Sequence, residues 1–479
     1  MFVTLDGMHI SDMMPESPHP SLRARVKRQS SSCFICSLLA CCLACAGSAF
    51  AATATDTTQT TVQAAQQPGT STQGDAASPA TTQRPEAAAT QQAPRVTPVA
   101  DEESYMLKDL HSEALMYQGK YFIFRPIIAL VGDYTAFDQD AASLEQVGEQ
   151  EDTQDLRAAR FGFYLRPKTG RAWEFFMAAD YVERRTREDD TFQLYDLKLR
   201  LALGDVSLDI GKQKQPFSFE MGGLSILYPN QERILSPFFV TRSVGIRALG
   251  QAAGDRMTWS VGWFNDWIEG DASFSETGND YVGRITGLLY APTDSNNYLH
   301  LGLGFRVAGP DSDLYRMSGR PESNVADKYL DTGNFTADHV TQMGFDLAWQ
   351  QGPLLLVGEH MQAQAQSAEN GNPHFSGNYL MLAWMLTGES RPYIRSIGTF
   401  GPVKPAARTG AFELVTRYSY VDLNDGLVQG GELHKWHFGV NWWISRQWKA
   451  GISWGDADLD KGGLEGNTKM LLTRIQWAY

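Results

Sequence analysis

Residues 196–203 read DLKLRLAL, with leucine at every second position and Asp196, Lys198 and Arg200 between them. Strict alternation makes a β-strand with one apolar and one polar face, because successive side chains point to opposite sides of the pleat. The pattern leaves open what covers the leucines. A water-soluble sandwich would turn Leu197, Leu199 and Leu201 into its core, whereas a membrane barrel would turn them to lipid and the charges to a wet interior.

The cysteines narrow the choice. All five (Cys33, Cys36, Cys41, Cys42 and Cys45) fall in one apolar run that follows the basic segment RARVKR and precedes Ala49-Phe50-Ala51. A basic segment, a short apolar run and a small-residue site describe a secretory signal peptide over residues 1–51. The run is shorter than the ~20 apolar residues of a spanning helix. Met13 and Met14 offer later starts, and LLAC ending at Cys41 loosely resembles a lipoprotein site. Leu39 is an unfavourable neighbour there, and an A-x-A site follows, so cleavage after Ala51 is the expectation. A mature chain so produced has no cysteine, hence no disulfide, thiolate metal site or cysteine nucleophile. Residues 52–116 open with Ala, Thr, Gln and Pro and almost no aromatic or branched aliphatic residue, which reads as a disordered periplasmic linker. The remaining domain spans 117–479.

Within that domain no window of 18 apolar residues and no long 3.6-residue period occurs, which excludes a helical membrane protein. Segments of about ten alternating residues recur instead. Short links at 167–171, 203–205, 251–255, 292–297, 350–353 and 445–447 alternate with longer polar ones at 138–155, 267–280, 311–339 and 458–468. Short turns on one rim and long loops on the other describe an up-and-down outer-membrane barrel. In YLHLGLGFRV, Leu299, Leu301, Leu303 and Phe305 oppose His300, Gly302, Gly304 and Arg306. In RMTWSVGWF, Met257, Trp259, Val261 and Trp263 oppose Thr258, Ser260 and Gly262. Trp173, Tyr181, Trp436, Trp442, Trp448 and Trp454 recur at strand ends, as interfacial girdles do. The chain closes on KMLLTRIQWAY, with Leu471, Ile475, Trp477 and Tyr479 on one face. About 360 residues at about 22 per strand and connection give about 16 strands, wide enough for an aqueous lumen. The expected fold is all-β: a transmembrane antiparallel up-and-down barrel.

Several motifs, in order, resemble the phosphate-selective porin O and P family. They are DLRAARFGFYL (155–165), YDLKLRLAL (195–203), GKQKQPFSFE (211–220), QER (231–233), TRSVGIRALG (241–250), LTGESRPY (386–393), GAFELVTRYSY (410–420), GVNWW (439–443) and TRIQWAY (473–479). The resemblance implies a homotrimeric channel of 16-stranded barrels in the outer membrane of a Gram-negative bacterium, with a third loop folded into each lumen and basic side chains guiding anions. A terminal aromatic looks like the signal read by barrel-assembly machinery, though Tyr479 stands where Phe is commoner. Where the family tends to read Arg-Arg-Ala-Arg, this chain has Arg157-Ala158-Ala159-Arg160, which weakens the case for tight phosphate binding by charge-assisted contacts.

The residues supply the parts for such a channel. The stretch 216–239 is too apolar for a solvated loop, and Phe217, Phe219, Leu224, Ile226, Leu227 and Tyr228 need burial. By parity the inward basic residues are Arg160, Lys198, Arg200, Arg247, Arg284, Arg306, Arg417, Lys449 and Arg474, with Lys212, Lys214 and Arg233 at or near the third loop. Inward Glu174, Asp180, Asp196, Asp209, Asp346, Glu359 and Glu413 oppose them, so each cation is a candidate either to attract anions or to neutralise a neighbouring carboxylate. The expected function is passive diffusion of small solutes, with phosphate or polyphosphate anions preferred. The rival is a sealed or adhesin-type barrel that binds a ligand through long outer loops such as 311–339.

Other classes find little support. No G-x-S-x-G elbow accompanies the histidines His111, His300, His339, His360, His374, His434 and His437. Glu359 and His360 face opposite sides of a strand, so they do not share a metal. No catalytic residue, metal or cofactor is expected, and no nucleic-acid-type basic patch occurs.

Overall fold

The computed structural model describes residues 116–169, 172–182, 191–265, 278–293, 295–310 and 313–479. The expected leader and most of the linker lie outside these residues. The described chain forms a closed antiparallel barrel of 16 strands. They are β1 (Phe122–Gln139), β2 (Thr153–Pro167), β3 (Trp173–Val182), β4 (Thr191–Leu203), β5 (Val206–Gln213), β6 (Ser243–Ala252), β7 (Met257–Asn265) and β8 (Asn279–Tyr290). They continue as β9 (Tyr298–Ala308), β10 (His339–Gln351), β11 (Leu354–Gln366), β12 (His374–Met385), β13 (Ala411–Asp425), β14 (Val428–Trp443), β15 (Trp448–Lys461) and β16 (Leu464–Ala478). Each pairs with its successor, and β16 pairs with β1 to close the sheet, opposing Asp133 to Arg474. A two-residue strand, Tyr117–Gln118, folds back on the start of β1.

Parity settles which face is which. Leu197, Val261, Leu303, Leu380, Trp384, Phe438 and Leu471 project outward and stay exposed, an apolar band that lipid covers in a membrane barrel. Trp436, Trp442 and Trp454 lie on that same outer face, as the girdle reading expects. Asp196, Arg200, Asp209, Arg306, Asp346, Glu413, Arg417 and Arg474 project inward and are buried.

The interior is partly filled by chain. The connection 214–242 turns into the lumen, carrying the short helix α1 (Phe219–Gly222). Its Phe217, Phe219, Met221, Leu227, Tyr228, Leu235 and Phe238 are buried, as the sequence requires. It presses so closely on β9 that a Cβ on Gly304 would stand 2.0 Å from the Phe217 carbonyl oxygen. Residues 313–338 of the connection after β9 also fold over the lumen and do not project as a free loop. Tyr329 and Leu330 are buried, and the Tyr329 hydroxyl bonds Thr468 at 2.9 Å.

Two expectations about connections need correction. Residues 458–468 are not a long loop. β15 runs to Lys461 and β16 starts at Leu464, joined through Gly462 and Gly463, both at positive φ. Asp458, Asp460, Glu465 and Asn467 occupy outward strand positions there. Conversely, the turn rim is not uniformly short. Residues 386–410 form a hairpin (Tyr393–Ile394 against Thr399–Phe400) that enters the barrel and meets the third loop. Phe400 packs 4.7 Å from Tyr228 and 5.4 Å from Phe219 between ring centroids. Arg391 donates to the Leu227 carbonyl at 2.7 Å and grips Glu413 at 2.6 and 2.8 Å.

Candidate functional site: a cation-lined passage

With chain packed against β8–β16, open space remains along the opposite wall. A cavity with about 220 Å³ open to water runs from the turn rim, at Gln251, Thr258 and Tyr479, to Lys214 and Arg242 at the third loop. Arg160, Lys198, Arg200, Lys214, Arg242, Arg247 and Arg284 line it, against the carboxylates Glu174 and Asp196. Opposing Ser396 and Ile397 come from the inserted hairpin.

The charge balance is set by Asp209. Arg200 grips it with two hydrogen bonds of 2.6 and 2.8 Å, Arg247 reaches it at 2.6 Å and Lys198 at 3.4 Å. All three cations reach it because β4, β5 and β6 are adjacent and the register aligns Arg200, Asp209 and Arg247 across the ladder. Arg200 also stands opposite Glu174 across the β3–β4 ladder, so Lys198, Arg200 and Arg247 face two carboxylates, Asp209 and Glu174, and this wall keeps a positive excess.

A second group surrounds Tyr195. Between Ala178 and Ala179 the β3–β4 register slips, and the bulge brings the Tyr195 ring under two guanidinium groups. Arg160 lies 3.9 Å and Arg242 3.4 Å from its centroid, a stacked arrangement that holds both cations in place. Arg160 also binds Asp180 at 2.8 Å, and Arg242 binds Asp196 at 3.0 Å. Lys214 donates to the Gly223 carbonyl. Burial, with Arg242 and Arg233 nearby, holds its ammonium well below the ordinary lysine range.

A third bulge-linked cation was not legible as inward. The β1–β2 register shifts between Val131 and Asp133, and Arg157 turns in to bind Glu232 of the third loop at 2.6 Å. Glu232 also accepts from Arg474 at 2.7 Å. Burial raises its pKa, but the two arginines outweigh that and hold it far below the carboxylate range. Ala158, where the family pattern carries arginine, faces inward and is buried. Arg157 therefore anchors the loop and does not replace the missing lumenal charge.

The other expected site residues divide by position. Arg284 lines the cavity but is held by Asp346 at 2.7 and 3.0 Å. Arg306 is buried away from it, bound to Asp280 at 2.8 Å and Gln342 at 2.7 Å. Arg417 is likewise buried, between Glu220 and Glu322. Lys449 and Arg474 donate to the third-loop carbonyls of Tyr228 and Gln231. Lys212 stands opposite Leu197 and Val244, on the outward register. Arg233 lies half-buried in the third loop, outside the cavity lining. Sequence reasoning missed Arg242 and Tyr195. Arg242 precedes its strand, and a bulge moves Tyr195 off the parity rule.

The family model for phosphate-selective porin O and P matches residues 128–479. Porin O of Pseudomonas aeruginosa is 25% identical over 228 residues, 40% of this chain and 52% of that protein. An uncharacterized protein of Caulobacter vibrioides is 28% identical over 173 residues, 34% of this chain and 35% of that one. The matches therefore span about half the length of the first relative and about a third of the second. Among solved structures, the anion-selective porin from Comamonas acidovorans aligns with a TM-score of 0.47 at 12% identity, over 75% of this chain and 100% of that one. The outer-membrane channel DcaP of Acinetobacter baumannii aligns at 0.48 and 9%, over 76% and 99%. With the family match running from β1 to the last residue, the chain belongs to the phosphate-selective porin O and P family.

Proposed function

We propose that the chain is a passive diffusion channel of the outer membrane for small solutes, with a preference for anions of the phosphate or polyphosphate type. The observation that carries this reading is the passage wall, where the three cations Lys198, Arg200 and Arg247 stand against the two carboxylates Asp209 and Glu174. In a narrow, partly desolvated bore such an excess lowers the barrier for anions and raises it for cations. Arg160, Arg242 and Lys214 extend the positive path to the third loop. The inward fold of residues 313–338 favours a restricted channel over an adhesin that displays the same loop. Lipid on the apolar band, a homotrimer, and barrel-assembly machinery reading the strand that ends at Tyr479 complete the proposal.

Planar-bilayer recording of the purified chain tests it. Ohmic steps are expected, with chloride current blocked by added phosphate. Absence of steps refutes the channel, and indifference to phosphate refutes the solute class.

A further inference from the structure

Arg417 was expected among the pore-lining cations, yet it touches no part of the passage. From the inner face of β13 its guanidinium joins two separate loops. Nη1 binds Glu220, in α1 of the third loop, at 2.6 Å, and Nε lies 2.8 Å from Glu322 of the 309–338 connection. The group stacks 3.7 Å from the Tyr379 ring centroid. Ser419 donates to Glu322 at 2.9 Å, and Lys435 stands 3.5 Å away. Asn230 supports Glu220 at 3.1 Å. Arg417, Glu220 and Glu322 are at most 3% exposed. Glu322 moreover holds φ at 52°, a conformation that side-chain-bearing residues rarely adopt. Such a conformation persists where surrounding contacts over-determine it.

We propose that Arg417 is a positioning residue that latches both inward loops to the wall and thereby sets the width of the passage, without contacting the permeating ion. The inference rests on the channel reading. Its physical basis is asymmetric: removing Arg417 leaves Glu220 without its cation while Glu322 keeps Lys435, whereas removing Arg417 and Glu220 together leaves only the paired Glu322 and Lys435.

The test compares wild type, R417M and the double variant R417M/E220Q in planar bilayers with symmetrical potassium chloride, after heat-modifiable gel mobility confirms folded barrels. R417M is expected to raise single-channel conductance, on the order of twofold, with added current noise as the loops leave the lumen. The double variant is expected to return near the wild-type conductance. A residue that merely attracts anions gives the opposite sign: lower conductance and weaker anion preference in both variants. That result, or unchanged conductance in R417M, overturns the proposal. If R417M does not fold, E322Q replaces it, since it leaves Arg417 paired with Glu220. Raised conductance there supports the latch, and unchanged conductance overturns it. If wild type itself does not conduct, the channel reading fails, and limited proteolysis reads the latch alone. Faster cleavage within 309–338 in R417M than in wild type upholds it, and equal rates refute it.

Discussion

Replacing Lys198 with glutamate separates the charge of the passage from the integrity of the wall. Asp209 keeps Arg200 and Arg247 as partners at 2.6–2.8 Å, while Lys198 stands farther from it, at 3.4 Å. The K198E barrel therefore retains its strongest wall contacts but loses the positive excess of the cluster. For an ion roughly 6 Å from the side chain in a dielectric constant of about 80, one unit charge is worth roughly 0.7 kcal/mol. Physiological salt screens about half of that. The substitution changes the charge by two units, so about 0.7 kcal/mol remains, disfavouring anions about threefold and favouring cations about threefold. The anion-to-cation permeability ratio should fall about tenfold. The assay is the reversal potential of single channels in a potassium chloride gradient, which should move toward the cation value while conductance steps persist. A reversal potential equal to that of wild type would falsify the reasoning, because Lys198 would then not face the permeating ion. R200E serves as a contrast: it places a carboxylate against buried Asp209 and should impair barrel assembly.

Other consequences follow from the same contacts. D209N leaves buried cations without their carboxylate, a loss of about 3–5 kcal/mol that should lower the temperature at which folded barrels disappear from heat-modifiability gels. Y195A removes the ring that orders Arg160 and Arg242, so phosphate should block chloride current about two- to fivefold less well, with chloride conductance retained. F400A deletes a ring buried against Phe219 and Tyr228, costing about 3–5 kcal/mol and widening the passage from the turn side, seen as increased conductance. Lys214 loses its proton at lower pH than an ordinary lysine, since burial and two neighbouring arginines disfavour its charge. Anion preference should therefore decline as pH rises while still below the ordinary lysine value of about 10.4, and K214M should abolish that decline.

How far the sequence carries can be judged from particular residues. Alternation placed Leu197, Leu199 and Leu201 on one face and Lys198 and Arg200 on the other, because a regular strand leaves no choice. It failed where strands are irregular. Arg157 and Tyr195 sit at register shifts, and a bulge redirects side chains without any composition signal. Apolar density in 216–239 revealed that this loop is buried. The same cue was present in 386–410, where Tyr393, Ile394, Ile397, Phe400 and Val403 punctuate a glycine- and proline-rich stretch. The expected loop 458–468 starts too early because Asp458 and Asp460 read as loop residues, although they alternate outward along β15. The division of inward arginines into passage lining and loop anchors depends on contacts such as Arg417 with Glu220, 197 residues apart. No local pattern encodes those distances.

The central claim is that alternate residues of one strand face water inside and lipid outside. Single-cysteine variants test it directly, because every native cysteine lies in the expected leader. A charged, water-soluble thiol reagent should reduce the current through K198C channels and leave L199C channels untouched. Block of L199C with K198C unaffected would invert the barrel and contradict the account.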